Sequence, residues 1–242
     1  MSLAEHRSRS VVEIVDATFN FYRGNAAALV TLLILVLGPA AILKVLAPVE
    51  LQFALEAATN LLIPLGQGAV AAMVAAAIER NERLGVGAAL RAAGDRTGSL
   101  IGVQITSGIM MVIGFILLVV PGVIAVIWTA VGIPVVMIEG LGYSKALERS
   151  RALVRGQWKP VLGTLLLSWG LAILLMLGGS VVLGFFGLAE GAVGLVTDLF
   201  LAAVLPVPAI AVTLLYYDLR VRREGADLDV MLAALPAERP TN

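Results

Sequence analysis

The sequence contains no cysteine. Disulfide bridges, thiol nucleophiles and thiolate metal sites are therefore excluded from the start. Its one histidine, His6, lies in a polar N-terminal segment. A Ser-His-Asp arrangement needs a base held beside its nucleophile, and a zinc site needs several nitrogen or sulfur ligands, so neither catalysis nor metal binding is expected. No phosphate loop of the Walker type occurs, because the 25 glycines fall mainly inside apolar stretches. No cofactor is implied. Charge is scarce as well. Charged residues make up 14% of the chain, and 17 Lys and Arg balance 17 Asp and Glu, which gives no footing for nucleic-acid binding. The first 25 positions are too polar for the short apolar core of a secretory signal peptide.

Apolar residues, in contrast, make up 60% of the 242, and mean hydropathy is +0.97. A soluble domain of this size could not hide that much apolar surface. Crossing a hydrocarbon core of about 30 Å takes roughly 20 apolar residues in a helix. Six stretches meet or approach that length, at about 25–47, 61–78, 99–120, 122–138, 160–183 and 194–217. No charged residue occurs between Ser99 and Ile138, where Pro121-Gly122 supplies the expected turn. Pro48–Asn60 and Gly184–Gly191 read as loops at the far end. Pro39 should kink the first span, and Pro206 and Pro208 should distort the last.

Three amphipathic segments interrupt the apolar ones, at about 10–23, 86–96 and 144–155. The first opens on a capping box, Ser10-Val11-Val12-Glu13. Their apolar faces suit either the membrane interface, with anionic lipid headgroups beside them, or packing on the protein's own loops. The expected fold is thus all-α: an integral membrane helical bundle of six spans in three hairpins, each preceded by an amphipathic helix. Residues 1–225 form one domain, and a short helix over Ala226–Leu235 opens a cytoplasmic tail. Six spans put both termini on one side. Of the 17 Lys and Arg, all but Lys44 then share that side, which the positive-inside rule makes the cytoplasm.

The joints between units resemble one another. Ile78-Glu79 is followed by Leu84-Gly85-Val86-Gly87-Ala88-Ala89-Leu90, and Ile138-Glu139 by Leu141-Gly142-Tyr143-Ser144-Lys145-Ala146-Leu147. Asp16-Ala17-Thr18 likewise matches Glu148-Arg149-Ser150. Each even span ends in a carboxylate: Glu79, Glu139 or Asp218. A helix C-terminus disfavours negative charge, so nearby arginines are the expected partners, with Arg149 or Arg151 expected for Glu139. The alternative is that these are solvated end residues. Asp198 is the one charge well inside a span, and Gln67 and Gln104 are candidates for hydrogen bonds between helices.

Ala146-Leu147-Glu148-Arg149-Ser150 through Leu153-Val154-Arg155-Gly156-Gln157-Trp158 resembles the signature of a bacterial membrane-domain family. That family includes the membrane domain attached to some glycerophosphoryl diester phosphodiesterases. Leu118 to Gly122, Pro134 and Glu139 fit its spacing upstream, and Tyr217-Asp218-Leu219-Arg220 fits its end. The resemblance implies a polytopic helical module. It does not imply phosphodiesterase activity, whose separate barrel domain has no counterpart here. Two functions remain open. One is a non-enzymatic scaffold that contacts anionic lipid headgroups or a protein partner. The other is a transporter or channel for a small or lipid-like solute, with Asp198, Gln104 and the Pro-broken sixth span lining a path.

Overall fold

The computed structural model describes residues 9–185 and 190–233. Of the loop expected over Gly184–Gly191, residues 186–189 lie outside the described residues, as does everything past Ala233, while its ends belong to the helices on either side. Helix α1, Val11–Leu46, begins with the capping box: Ser10 Oγ accepts from the Glu13 N–H at 3.3 Å, and Glu13 Oε2 accepts from the Ser10 N–H at 2.6 Å. The expected division near Gly24, between an amphipathic helix and a span, does not occur. Nothing at Gly24 demands a turn. Asn25, the residue best able to end the helix, instead donates its side-chain amide back to the Phe21 carbonyl at 3.0 Å.

Helix α2, Val49–Glu79, starts directly after Pro48. The loop expected over Pro48–Asn60 is therefore helical. Glu50 in the first turn favours the positive end of the helix dipole. Thr59 and Asn60 return side-chain hydrogen bonds to the carbonyls of Leu55 and Glu56. Pro64 consequently lies in the helix interior rather than in a first turn.

Helix α3 is Val86–Gly94, α4 Thr97–Leu117, α5 Val119–Thr129 and α6 Gly132–Glu139. Pro121-Gly122 is not the turn between α4 and α5; Leu118 alone is, in extended conformation. Pro121 falls in the first turn of α5, where a missing N–H costs little. The fourth apolar stretch is broken at Ala130-Val131. There the Ala130 N–H bonds back only three residues, to Ile127, and the Trp128 carbonyl accepts from Ser150 Oγ at 2.8 Å. Gly140, at φ +71°, closes α6 in the left-handed region that glycine enters without strain.

Helix α7 is Tyr143–Val154, α8 Trp158–Phe185, α9 Glu190–Val204 and α10 Pro206–Ala233. The sixth apolar stretch divides at Leu205, immediately before Pro206 and Pro208, neither of which has an N–H to continue the helix. The separate helix expected from Ala226 is, as far as Ala233, the end of α10. Pairs four residues apart, Asp218–Arg222 and Arg220–Glu224, carry that helix past its apolar portion.

Among the described residues there is no strand, and six helical stretches are long and apolar enough to cross a membrane. The core lies where α1, α2 and α10 meet, around Leu29, Leu33, Val70, Val74, Ile210 and Leu214. Outward faces are equally apolar: Ile109 and Ile116 on α4, and Leu166, Ile173 and Leu174 on α8, are largely exposed. Water would make such faces a liability, whereas lipid makes them the ordinary exterior of a helix in a bilayer.

The three segments expected to be amphipathic share one register of buried residues. Ile14 of α1, Ala89 of α3 and Ala146 of α7 are each fully buried, and so, four residues on, are Thr18, Ala93 and Ser150. Gly85 and Gly142, which precede α3 and α7, have nearly the same backbone angles, φ −69°, ψ 153° and φ −65°, ψ 159°.

Candidate functional site

The carboxylates that end α2 and α6 meet on α10, at three consecutive residues. Tyr216 donates its hydroxyl to Glu139 Oε1 at 2.9 Å, and Tyr217 donates to Glu79 Oε1 at 2.7 Å. Asp218, buried beside them, accepts from Arg222 Nε at 2.7 Å and from the Arg9 N–H, while Arg222 also donates to the Arg9 carbonyl. One turn of α10 thus joins α2, α6 and Arg9, the residue before the Ser10 cap of α1. The geometry follows from helical spacing. Adjacent residues point about 100° apart, so the two tyrosines can reach different neighbours, and their rings meet edge to face at 5.2 Å. Neither tyrosine is singled out as a site residue by the sequence, where Tyr217 enters only through the resemblance. The available signal was a Tyr-Tyr-Asp run at the polar end of an apolar stretch.

Arg149 and Arg151, two residues apart, do different things. Arg149 Nε donates to both Glu139 oxygens, at 2.9 and 3.1 Å, and Arg149 Nη2 lies 3.6 Å from Glu224. The Arg151 guanidinium instead stacks over the Trp128 ring at 3.9 Å. Glu139→Ala and Arg149→Ala should each lower stability in detergent by about 1 kcal/mol, since the pair is only partly buried. The double variant should lose less than the sum, whereas Glu139→Ala and Arg151→Ala should add, as read by thermal unfolding of all four proteins.

At the opposite end of the bundle, Lys44 is enclosed by carboxylates. Its Nζ lies 2.8 Å from Glu56 and 3.0 Å from Asp198, and Gln52 donates to the Lys44 carbonyl at 2.7 Å. Asp198 is therefore an ion-pair partner that ties α9 to α1. Gln104 is exposed on α4 and Gln67 is half-buried in α2, and neither hydrogen bonds to another described residue. The structure does not bring Asp198, Gln104 and Gln67 together.

Beside the Tyr-Tyr-Asp turn, α2, α3 and the end of α6 enclose a half-open groove of about 470 Å³. Ala72, Ala75, Ala88, Met137 and Ile138 contribute apolar lining, and Glu79, Arg80, Asp95 and Arg96 polar lining. Arg96 is fixed: Nη1 donates to the carbonyls of Val136, which also accepts the Gly140 N–H, and Met137 in the last turn of α6. Arg80 and Asp95 are exposed, and neither is ion-paired with another described residue. Among the described residues no three His, Cys, Asp or Glu side chains cluster as a metal ion would require.

Fold and polar ends together define an all-helical, multi-pass type of membrane protein. No family model, no curated protein and no solved structure matches this chain.

Proposed function

We propose that this chain is a non-enzymatic module of the bacterial cytoplasmic membrane, with both termini in the cytoplasm, that holds a phosphate-bearing lipid headgroup in the groove between α2, α3 and α6. The observation that carries this reading is the groove's mixed lining of apolar and charged residues. The apolar wall suits glycerol and the upper acyl chain. Arg80, not ion-paired with another described residue, offers a cation to a phosphate, and Asp95 and Glu79 offer acceptors to an ammonium or hydroxyl headgroup. The groove also lies on the side that carries all the cations except Lys44, where the cytoplasmic leaflet would be.

The apolar faces of the amphipathic helices support a scaffold in a different way from the one their sequence suggests. They are buried on the protein, so headgroup contact falls to the groove and to exposed arginines. The common register of Ile14, Ala89 and Ala146, with the matched glycines before α3 and α7, supports three repeated units of amphipathic helix and hairpin. The resemblance to the membrane domain of certain phosphodiesterases belongs to the same proposal and assigns no chemistry to this chain.

Native mass spectrometry of the detergent-purified protein, titrated with phosphatidylethanolamine, phosphatidylglycerol or a phosphate-free diacylglycerol, tests the headgroup site. Phospholipid should be retained over diacylglycerol. Arg80→Ala should weaken retention about tenfold, the loss of one hydrogen bond between charged groups. Equal retention by the variant and the parent would remove the groove from the proposal. Equal retention of diacylglycerol would remove the phosphate.

A further inference from the structure

We infer that the α4–α5 hairpin does not reach the far side of the membrane, and that its tip ends among acyl chains near the bilayer midplane. The inference stands on α7, which marks the level of the interface. Lys145, Glu148, Arg151 and Arg155 are exposed along α7, so this helix lies in water or headgroups. Three contacts fix the hairpin to it. Tyr143 packs directly on Gly102 of α4, where any side chain would collide with its ring. Ser150 holds the carbonyl of Trp128 at the end of α5, and Arg151 covers the ring of the same tryptophan. Both legs of the hairpin therefore leave the interface at those points.

The reach from there is short. Helix α5 has 11 residues, Val119–Thr129, or about 16 Å at 1.5 Å per residue. The stretch of α4 from Gly102 to Leu117 gives about 22 Å by the same rise. A hydrocarbon core measures about 30 Å. Helix α6 adds no height, because both of its ends lie against α7: Gly132 beside the Leu147 side chain and Glu139 on Arg149.

The tip has the chemistry this position requires. No polar side chain occurs from Ile109 to Ile127, and Ile116, Leu117, Leu118, Val119 and Val120 are all about 70% exposed or more except Leu117, at 66%. The other polar end of the bundle, by contrast, is marked by Lys44, Glu56 and Asp198. A turn in hydrocarbon must also leave few bare backbone donors. This turn uses one residue, Leu118, whose N–H bonds to Gly114, and Pro121 removes a donor from the first turn of α5. The partner this surface fits is the acyl interior of the bilayer. Residues on the tip displace lipid from the leaflet beside α7 and leave lipid of the other leaflet above it.

The absence of native cysteine allows a direct test in the full-length protein reconstituted in vesicles. A bimane label at Leu118→Cys, with Ile116→Cys as a second reporter, is read against phospholipids carrying nitroxide at headgroup or mid-chain depth. Impermeant maleimide is applied from each face, with Glu56→Cys and Arg91→Cys as markers of the two faces. The expected result is quenching strongest by mid-chain nitroxide, with no maleimide reaction at the tip from either face. Reaction from the face that labels Glu56→Cys, or strongest quenching at headgroup depth, would overturn the inference. Both reporters are exposed side chains whose loss creates no cavity, and neither outcome depends on the headgroup groove.

Discussion

Replacing Arg222 by alanine should cost about 3 kcal/mol of stability, because it strands a carboxylate that the fold has already desolvated. The Asp218 side chain is 1% exposed, and Arg222 is its one ion-pair partner among the described residues, at 2.7 Å. The Arg9 N–H also donates to Asp218, but a single backbone dipole does not offset a buried negative charge. Arg222 in turn donates to the Arg9 carbonyl, so its loss also frees the residue before α1. The companion variant Asp218→Asn should be far milder alone, and in combination with Arg222→Ala it should recover most of the loss, since the charge is then gone. Thermal unfolding in detergent of the two single variants and the double variant reads this directly. A double variant as unstable as Arg222→Ala would mean that the guanidinium acts through packing and not through charge.

The second large effect is expected at Gly114, where α4 and α5 cross. A Cβ built there would lie 2.8 Å from the Cα of Gly122 and 2.9 Å from its backbone nitrogen. These obstacles are backbone atoms of the neighbouring helix, so no side chain can swing away, and the hairpin itself has to open. Gly114→Val should therefore destabilise by about 3 kcal/mol, at the upper end of overpacking. Gly108 lies on the same helix with nothing within 4 Å of its would-be Cβ. Gly108→Ala should be neutral or stabilising by up to about 1 kcal/mol, from helix propensity alone. Measuring both in one detergent separates crowding at the crossing from a general intolerance of added methyl groups. Equal effects would mean that the two helices do not meet closely at Gly114.

The features readable in the sequence are those encoded within a few residues. The capping box at Ser10 and Glu13 needs four positions. The six apolar stretches need only composition and length. The turn from Glu139 through Gly140 to Arg149 spans ten residues, and its glycine and helix spacing already bring the two side chains near each other. Features that depend on distant segments were not readable. Tyr216 and Tyr217 reach carboxylates 77 and 138 residues away, and no local pattern distinguishes them from ordinary interfacial tyrosines. The groove joins α2, α3 and α6 for the same reason. Two misreadings had a local cause. Pro48 opens the expected loop but stands just before a helix start, and Pro121, expected in a turn, occupies a first helical turn. In both places the proline lies within a few residues of the predicted feature and marks where a helix begins instead of where one is interrupted.

The ion pairs around Lys44 bear on how the molecule is assembled in time. In the orientation proposed above, Lys44 is the one cation opposite all the others, and so the one that must be carried through the bilayer. Glu56 follows it by only 12 residues and bonds to it at 2.8 Å, so lysine and carboxylate can be translocated together as a neutral pair while the first two helices insert. Asp198 is synthesised 154 residues later and completes the cluster only when α9 arrives. The end of the bundle around Lys44 is therefore left open through most of synthesis and is closed by the last hairpin.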